Sequence, residues 1–225
     1  MPSNISKLGK ILKTLNRLEG STLFNASLPV KIEVKKELNP ITFLIKVGNK
    51  ELETKTDIPL KAGEKYFAEI KELKNSIQIT NLKPYPKILK TLDIITPQKE
   101  FVSKDKKEIL THLANAKTKD DFLFFMNILI AFEKKIYHMF ITDKRKALFQ
   151  YKKEKDKIRF YGCFSVLGEL EGTVTATNVN IYTPYSSTMN LINEHKNSID
   201  LNVSVFLKEV KTLFEFNNSL IDIKV

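Results

Sequence analysis

The residue pattern predicts an α+β protein. Its expected parts are an N-terminal small β-barrel of OB-like type, a helical connector, and a C-terminal antiparallel sheet carrying one or two helices. Three observations lead there. Apolar residues alternate with polar ones along residues 28–83, the period of a strand with one buried face. The period lengthens to that of an amphipathic helix over 104–132. It returns to two from Lys135 onward.

The chain opens on a basic amphipathic segment. Over residues 4–19, Ile5, Leu8, Ile11, Leu12, Leu15 and Leu18 keep helical spacing, with Lys7, Lys10, Lys13 and Arg17 between them. Ser3 or Asn4 is placed to cap its start and Gly20 its end. Short strands follow. Val30, Ile32 and Val34 alternate with charged residues, and Ile41, Phe43, Ile45 and Val47 form a second run that ends at the turn pair Gly48-Asn49. Lys50 to Thr56, Lys65 to Lys71 and Asn75 to Thr80 complete a set of five, the pattern of a small barrel.

Pro84, Pro86 and Pro97 bracket a short helix from Lys87 to Ile94. Ser103 is placed to cap a helix from Lys104 to Ala116, with Ile109, Leu110 and Leu113 inward. Asp120 or Asp121 begins a second helix through Phe132, whose expected inner face is Phe122, Phe125, Met126, Leu129 and Ile130. Strand patterning resumes over Ile136 to Thr142, Ala147 to Lys153, Lys157 to Val166, Leu170 to Ala176 and Asn178 to Thr183. A short helix is expected over Thr188 to Lys196 and a strand over Leu201 to Phe206. Leu207, Val210, Leu213 and Phe214 keep helical spacing to Asn217, with helix and strand both open over 199–216, and Ile221, Ile223 and Val225 read as a terminal strand. The division that follows is residues 1–23 as an amphipathic helix, 24–84 as the barrel, 85–134 as the connector and 135–225 as the α+β unit.

Composition narrows the function. With 42% hydrophobic and 28% charged residues, the chain is that of a folded protein. The net charge of +11 raises a polyanion ligand. The charge is diffuse, however, and residues 147–225 hold nine Lys/Arg against nine Asp/Glu. An OB-like barrel would bind single-stranded nucleic acid through stacking aromatics in a basic groove. The stretch holds Phe24, Phe43, Tyr66 and Phe67. Phe43 shares a strand face with Ile41, Ile45 and Val47 and reads as core, and only one of the adjacent Tyr66 and Phe67 can face out. Nucleic acid is therefore the lesser expectation beside a protein partner. No apolar run is long enough for a membrane-spanning helix, since Phe122 to Phe132 is short and interrupted by Asn127. The N-terminus lacks the apolar core of a signal peptide, so the expected location is cytoplasmic.

Catalytic patterns do not emerge. His112, His138 and His195 stand far apart, and the one cysteine, Cys163, reads as a small core residue on a strand. Seven glycines, none clustered, make no phosphate-cradling loop. Asp120-Asp121 fits a helix N-terminus, and Glu169 and Glu171 share a strand face without a partner acid or histidine nearby in sequence. The expectation is a non-enzymatic protein with no cofactor and no metal.

The stretch Arg159 to Pro184 carries a resemblance. A strand from Lys157 to Val166, a Leu167-Gly168 turn, and a strand opening on Glu171-Gly172-Thr173-Val174 resemble the C-terminal domain of the flagellar hook-length control protein family. Met139 to Lys153 is similar to the hairpin that precedes this core in shorter proteins of that kind, and Val30 to Leu82 to their β-rich module. Two features depart from the family. Val166 stands where a proline is usual, and no long ruler segment precedes the core. The resemblance implies a role in interaction. The partner would be the cytoplasmic domain of the flagellar export gate, and the contact would switch the class of exported substrate. It also allows export through the flagellar type III route. Leu167, Gly168, Glu169 and Leu170 are the implied turn and contact edge.

Overall fold

The computed structural model describes residues 28–56, 58–73, 76–94, 100–103, 105–141 and 146–217. The helix expected at 4–19, Phe24 and the terminal strand from Ile221 lie outside them. Two sheets organise the chain. The first contains β1 (Val30–Asn39), β2 (Thr42–Val47), β3 (Lys50–Lys55), β4 (Lys65–Leu73) and β5 (Ser76–Pro84), in the order β3-β2-β1-β4-β5. Strands β2 and β3 turn at Gly48-Asn49, where Gly48 has φ +59°.

The expected barrel is not formed. The five strands are present, but β3 and β5 remain opposite edges of an open sheet. One reason is β3 itself. Its sequence Lys50-Glu51-Leu52-Glu53-Thr54-Lys55 has four charges in six residues, which guards an edge against pairing. The other is that the sheet buries residues on both faces. Ile32, Val34, Phe43, Ile45 and Ala68 form its own core. Phe67, beside Ala68 on β4, points the other way and packs against Tyr85 and Tyr185 in a second core. A barrel wall has one interior side; this sheet is a layer between two cores.

The second sheet has seven strands: β6 (Glu100–Val102), β7 (Ile136–Ile141), β8 (Ala147–Lys153), β9 (Ile158–Phe164), β10 (Gly168–Val174), β11 (Asn178–Thr183) and β12 (Asn202–Leu207). They lie in reverse chain order from β12 to β6. This sheet departs from the antiparallel expectation at one end, where β12 runs parallel to β11. Helix α4 (Ser186–His195) carries the chain back between them, as a parallel pair requires. The residues read as a connector belong to this body. They supply β6 at its edge and three helices: α1 (Lys87–Ile94), α2 (Lys106–Ala114) and α3 (Lys119–Glu133). Leu89, Leu92, Ile109, Phe124, Phe125 and Ile128 share a core with Phe140, Leu148, Tyr161 and Cys163 of the sheet. The opposite sheet face buries Phe149, Phe160, Leu170 and Ile181 with Ile192 of α4.

Local chemistry sets the helix starts. Asp105 caps α2 by accepting from Lys107 N at 3.0 Å, and Thr118 caps α3 by accepting from Asp121 N at 3.0 Å. Ser103, expected as a cap, instead accepts from the backbone of His138 at 2.6 Å. Helix α3 is turned relative to its expected face. Phe124, Phe125, Asn127, Ile128 and Ala131 are buried, while Phe122 and Ile130 are each 38% exposed. Apolar residues surround this helix on every side, so periodicity alone does not choose the inner face. Leu110 of α2, also expected inward, is 43% exposed.

Residues 208–217, where the sequence leaves helix and strand both open, form neither and make an irregular strap. Two side-chain amides replace the missing helical hydrogen bonds. Gln150 Oε1 accepts from Leu213 N at 3.0 Å and Phe214 N at 3.1 Å, and its Nε2 donates to Phe214 O at 2.8 Å. Asn127 accepts from Asn217 N at 3.0 Å and donates to Asn217 O at 2.9 Å. Gln150 Nε2 also lies 3.1 Å from His138 Nε2. That nitrogen must accept, which puts the imidazole proton on Nδ1, a buried atom with no partner. Burial pushes the His138 pKa down to about 3.

Gln150→Ala removes partners from two N–H groups and one C=O of the strap. It is expected to lower the unfolding free energy by about 3 kcal/mol in urea denaturation. His138 gives a pH test. Its pKa falls from 6.5 in the unfolded chain to about 3 when folded, so the unfolded chain binds the proton first as pH drops. Stability then falls by about 1.4 kcal/mol per pH unit below 6.5, until the folded imidazole also titrates. In a urea series from pH 7 to pH 5, His138→Leu is expected to flatten that slope.

Candidate functional site

The site builds outward from the corner between β9 and β10. Ser165-Val166-Leu167 make the turn, and Gly168 opens β10 with φ +75°. Only glycine enters that region at little cost. Space is a second constraint. A Cβ at Gly168 would lie 2.4 Å from Cε2 of Tyr185. Leu167 is fully buried, and its carbonyl accepts from Thr188 Oγ1 of α4 at 2.8 Å. Leu170 is buried in the same core as Leu167. Of the four residues expected at the contact edge, Glu169 alone is only half-buried.

Strand alternation puts Glu169 on the other sheet face. There Tyr161 Oη donates to Glu169 Oε1 at 2.6 Å. Burial raises the Glu169 pKa and outweighs the opposing effects of Tyr161 and Lys83. Burial also holds the Tyr161 phenol well above its ordinary value. A cleft of about 470 Å³ opens between α1, the strap and the sheet, and its wall includes Lys87, Thr91, Gln150, Tyr161, Glu169 and Glu215. Glu171, two residues on, is engaged elsewhere: it accepts from Lys211 N of the strap at 2.9 Å.

The corner is tied to the first sheet through the start of α4. Tyr185 occupies the cap position and makes no side-chain cap bond. Glu69 of β4 takes that role from the other sheet. Its Oε1 accepts from Ser187 N at 2.7 Å and Ser186 Oγ at 3.0 Å, and its Oε2 accepts from Asn81 Nδ2 at 3.1 Å. Burial alone would raise this carboxyl; hydrogen bonds from Ser187, Asn81 and Ser186 outweigh it and hold the pKa below the ordinary value. Asn81, at φ +50°, also donates to Pro184 O at 2.6 Å.

The other singled-out residues do not converge. His112 stacks on Phe125, His138 is buried beside Gln150, and His195 Nδ1 lies 3.0 Å from the carbonyl of Leu191. Among the described residues no three of His, Cys, Asp and Glu gather as metal ligands, and no helix is long and apolar enough to cross a membrane. In the first sheet Phe43 and Phe67 are buried, and Tyr66 Oη accepts from Lys61 N at 3.2 Å. Those strands present no exposed aromatic for stacking bases among the described residues. No family model, no curated protein and no solved structure matches the chain.

Gly63 supplies a control for the corner. It has φ +82°, and nothing lies within 4 Å of the place an added Cβ would take, so Gly63→Ala reports backbone strain alone. That change is expected to cost about 1 kcal/mol. Gly168→Ala adds the collision with Tyr185 and is expected to cost about 3 kcal/mol in the same denaturation measurement.

Proposed function

We propose that the chain is a non-enzymatic interaction protein of hook-length-control type that binds the cytoplasmic domain of the flagellar export gate. Glu169, standing in the cleft beside the Leu167-Gly168 corner, is the contact residue. The observation that carries the reading is the division of labour between the corner and the start of β10. Leu167, Gly168 and Leu170 are used up in packing, while Glu169 is held by Tyr161 in the wall of an open cleft. A carboxyl oriented this way, partly exposed in the cleft wall, suits a basic or hydrogen-bonding side chain of a partner. The strand, Leu-Gly turn and strand that carry the resemblance supply the flagellar part of the reading.

Calorimetric titration of the full chain against the purified cytoplasmic domain of the export gate tests it. A complex of micromolar affinity is expected, weakened about tenfold by Glu169→Gln. That substitution keeps an acceptor for the Tyr161 hydroxyl. Absence of heat at high micromolar concentrations of both folded proteins refutes the reading.

A further inference from the structure

We propose that the outer edge of β12, unpaired among the described residues, is a docking site for an extended segment of another protein, which joins the seven-stranded sheet as a further strand. Strand β12 ends the sheet, with β11 on one side and no described strand on the other. Asn202 N donates to Thr177 O and Lys208 N donates to Thr183 O, so the even-numbered residues direct their backbone groups at β11. Val203, Val205 and Leu207 therefore direct their N–H and C=O groups outward, a ready ladder.

Three further observations mark this edge. Residues 202–207, Asn-Val-Ser-Val-Phe-Leu, contain no charge and no proline, the usual guards of an edge strand. The edge strand β3 of the first sheet has four charges over the same length. Phe206 and Leu207 are 47% and 56% exposed, and Phe206 stacks at 5.4 Å on Tyr182 of β11. Each end of β12 also meets a groove. One of about 690 Å³ includes Asp200 and Asn202, and one of about 420 Å³ includes Leu207 and Lys208.

Area identifies the occupant. A stable pair of folded proteins buries about 800 Å² on each side, far more than one six-residue edge supplies to a rigid second copy. An extended segment gains the backbone ladder, side-chain contacts on both sheet faces and the two end grooves together. The matching chemistry is uncharged, with apolar residues at alternate positions, since β12 offers valine to one face and Phe206 to the other. This surface is separate from the Glu169 cleft, and the inference does not rest on the export-gate reading.

The probe is an end-capped, fluorophore-labelled octapeptide of alternating valine and threonine, titrated against the full chain by anisotropy. Saturable binding is expected, weakened at least about tenfold by Val205→Pro or by N-methylating alternate residues of the peptide. The Val205 N–H is outside the β11 ladder, so the proline removes an outward donor and leaves the β11 hydrogen bonds in place, although it also trims a side chain packed on the core. Should Val205→Pro lower the melting temperature, Phe206→Lys is read instead, with the same tenfold loss expected. No saturation up to about 1 mM peptide overturns the proposal, as does unchanged binding of the N-methylated peptide. Sedimentation of the peptide-free chain as a dimer that Phe206→Lys dissolves also overturns it, because the edge then serves a second copy. Glu169→Gln tests the cleft alone, so either proposal can fail without the other.

Discussion

A carboxylate, with the amide of Asn81 beside it, ties the two sheets together. Glu69 belongs to β4 of the first sheet, yet it caps a helix that belongs to the second. The first amides of a helix have no partner within it, and the helix dipole favours negative charge there. Most helices meet that need with the residue just before the first turn. Here that residue is Tyr185, which is buried against Phe67 and below Gly168. The tyrosine cannot both cap the helix and fill the core. Glu69 resolves the conflict from outside, and its geometry specifies one arrangement of the sheets. Apolar contacts between Phe67, Tyr85 and Tyr185 add burial without that directional control. The same four residues, Tyr185 to Thr188, also grip the β9–β10 corner through the Tyr185 ring and the Thr188 hydroxyl. The inter-sheet joint and the candidate site are therefore one structure.

The strap applies the same economy of polar groups on the opposite side. An irregular segment laid over a sheet brings backbone N–H and C=O groups that water no longer satisfies. Gln150 and Asn127 each offer a donor and an acceptor in one plane, and each engages both polar groups of a single strap residue. All four hydrogen-bonding positions of Gln150 are used once His138 is included. The remaining cost is a buried imidazole N–H, accepted because Gln150 has nothing left to give it. Gln150 also stands in the wall of the cleft that contains Glu169. Seating the strap thus shapes the cleft that contains Glu169.

Much of this was written in period and punctuation. Strand and helix spacing located the five strands of the first sheet, and Gly48-Asn49 and Leu167-Gly168 marked real turns. What escaped was everything decided by contacts between distant residues. Barrel closure depends on which edges meet, and nothing local in β3 or β5 says that Phe67 faces a second core. The inner face of α3 was hidden because phenylalanine and isoleucine surround it; Asn127 was the better guide, since a polar residue in an apolar helix needs a buried partner. Gln150 carried the same signal within the apolar strand Ala147-Leu148-Phe149. Residues 208–217 have helical spacing, but spacing reports which side chains are apolar, and Leu213 and Phe214 reach their cores equally well from an irregular strap. Glu69 looked like any charged strand residue, for its role depends on serines more than a hundred positions away.

Alternation along β10 gives one short strand a core-facing side and a side that faces the strap and cleft. Side chains of successive strand residues leave on opposite faces. Gly168 and Leu170 go into the core with Leu167, and any change there is felt as instability. Glu169 and Glu171 go to the face that bears the strap, where Glu171 anchors it and Glu169 stays half open. Glutamine at position 169 keeps the tie to Tyr161, because an amide oxygen can also receive the hydroxyl bond. The rigid corner and the carboxyl are neighbours in sequence but leave the strand on opposite faces, so buried residues fix the position of Glu169 while its own chemistry faces the cleft.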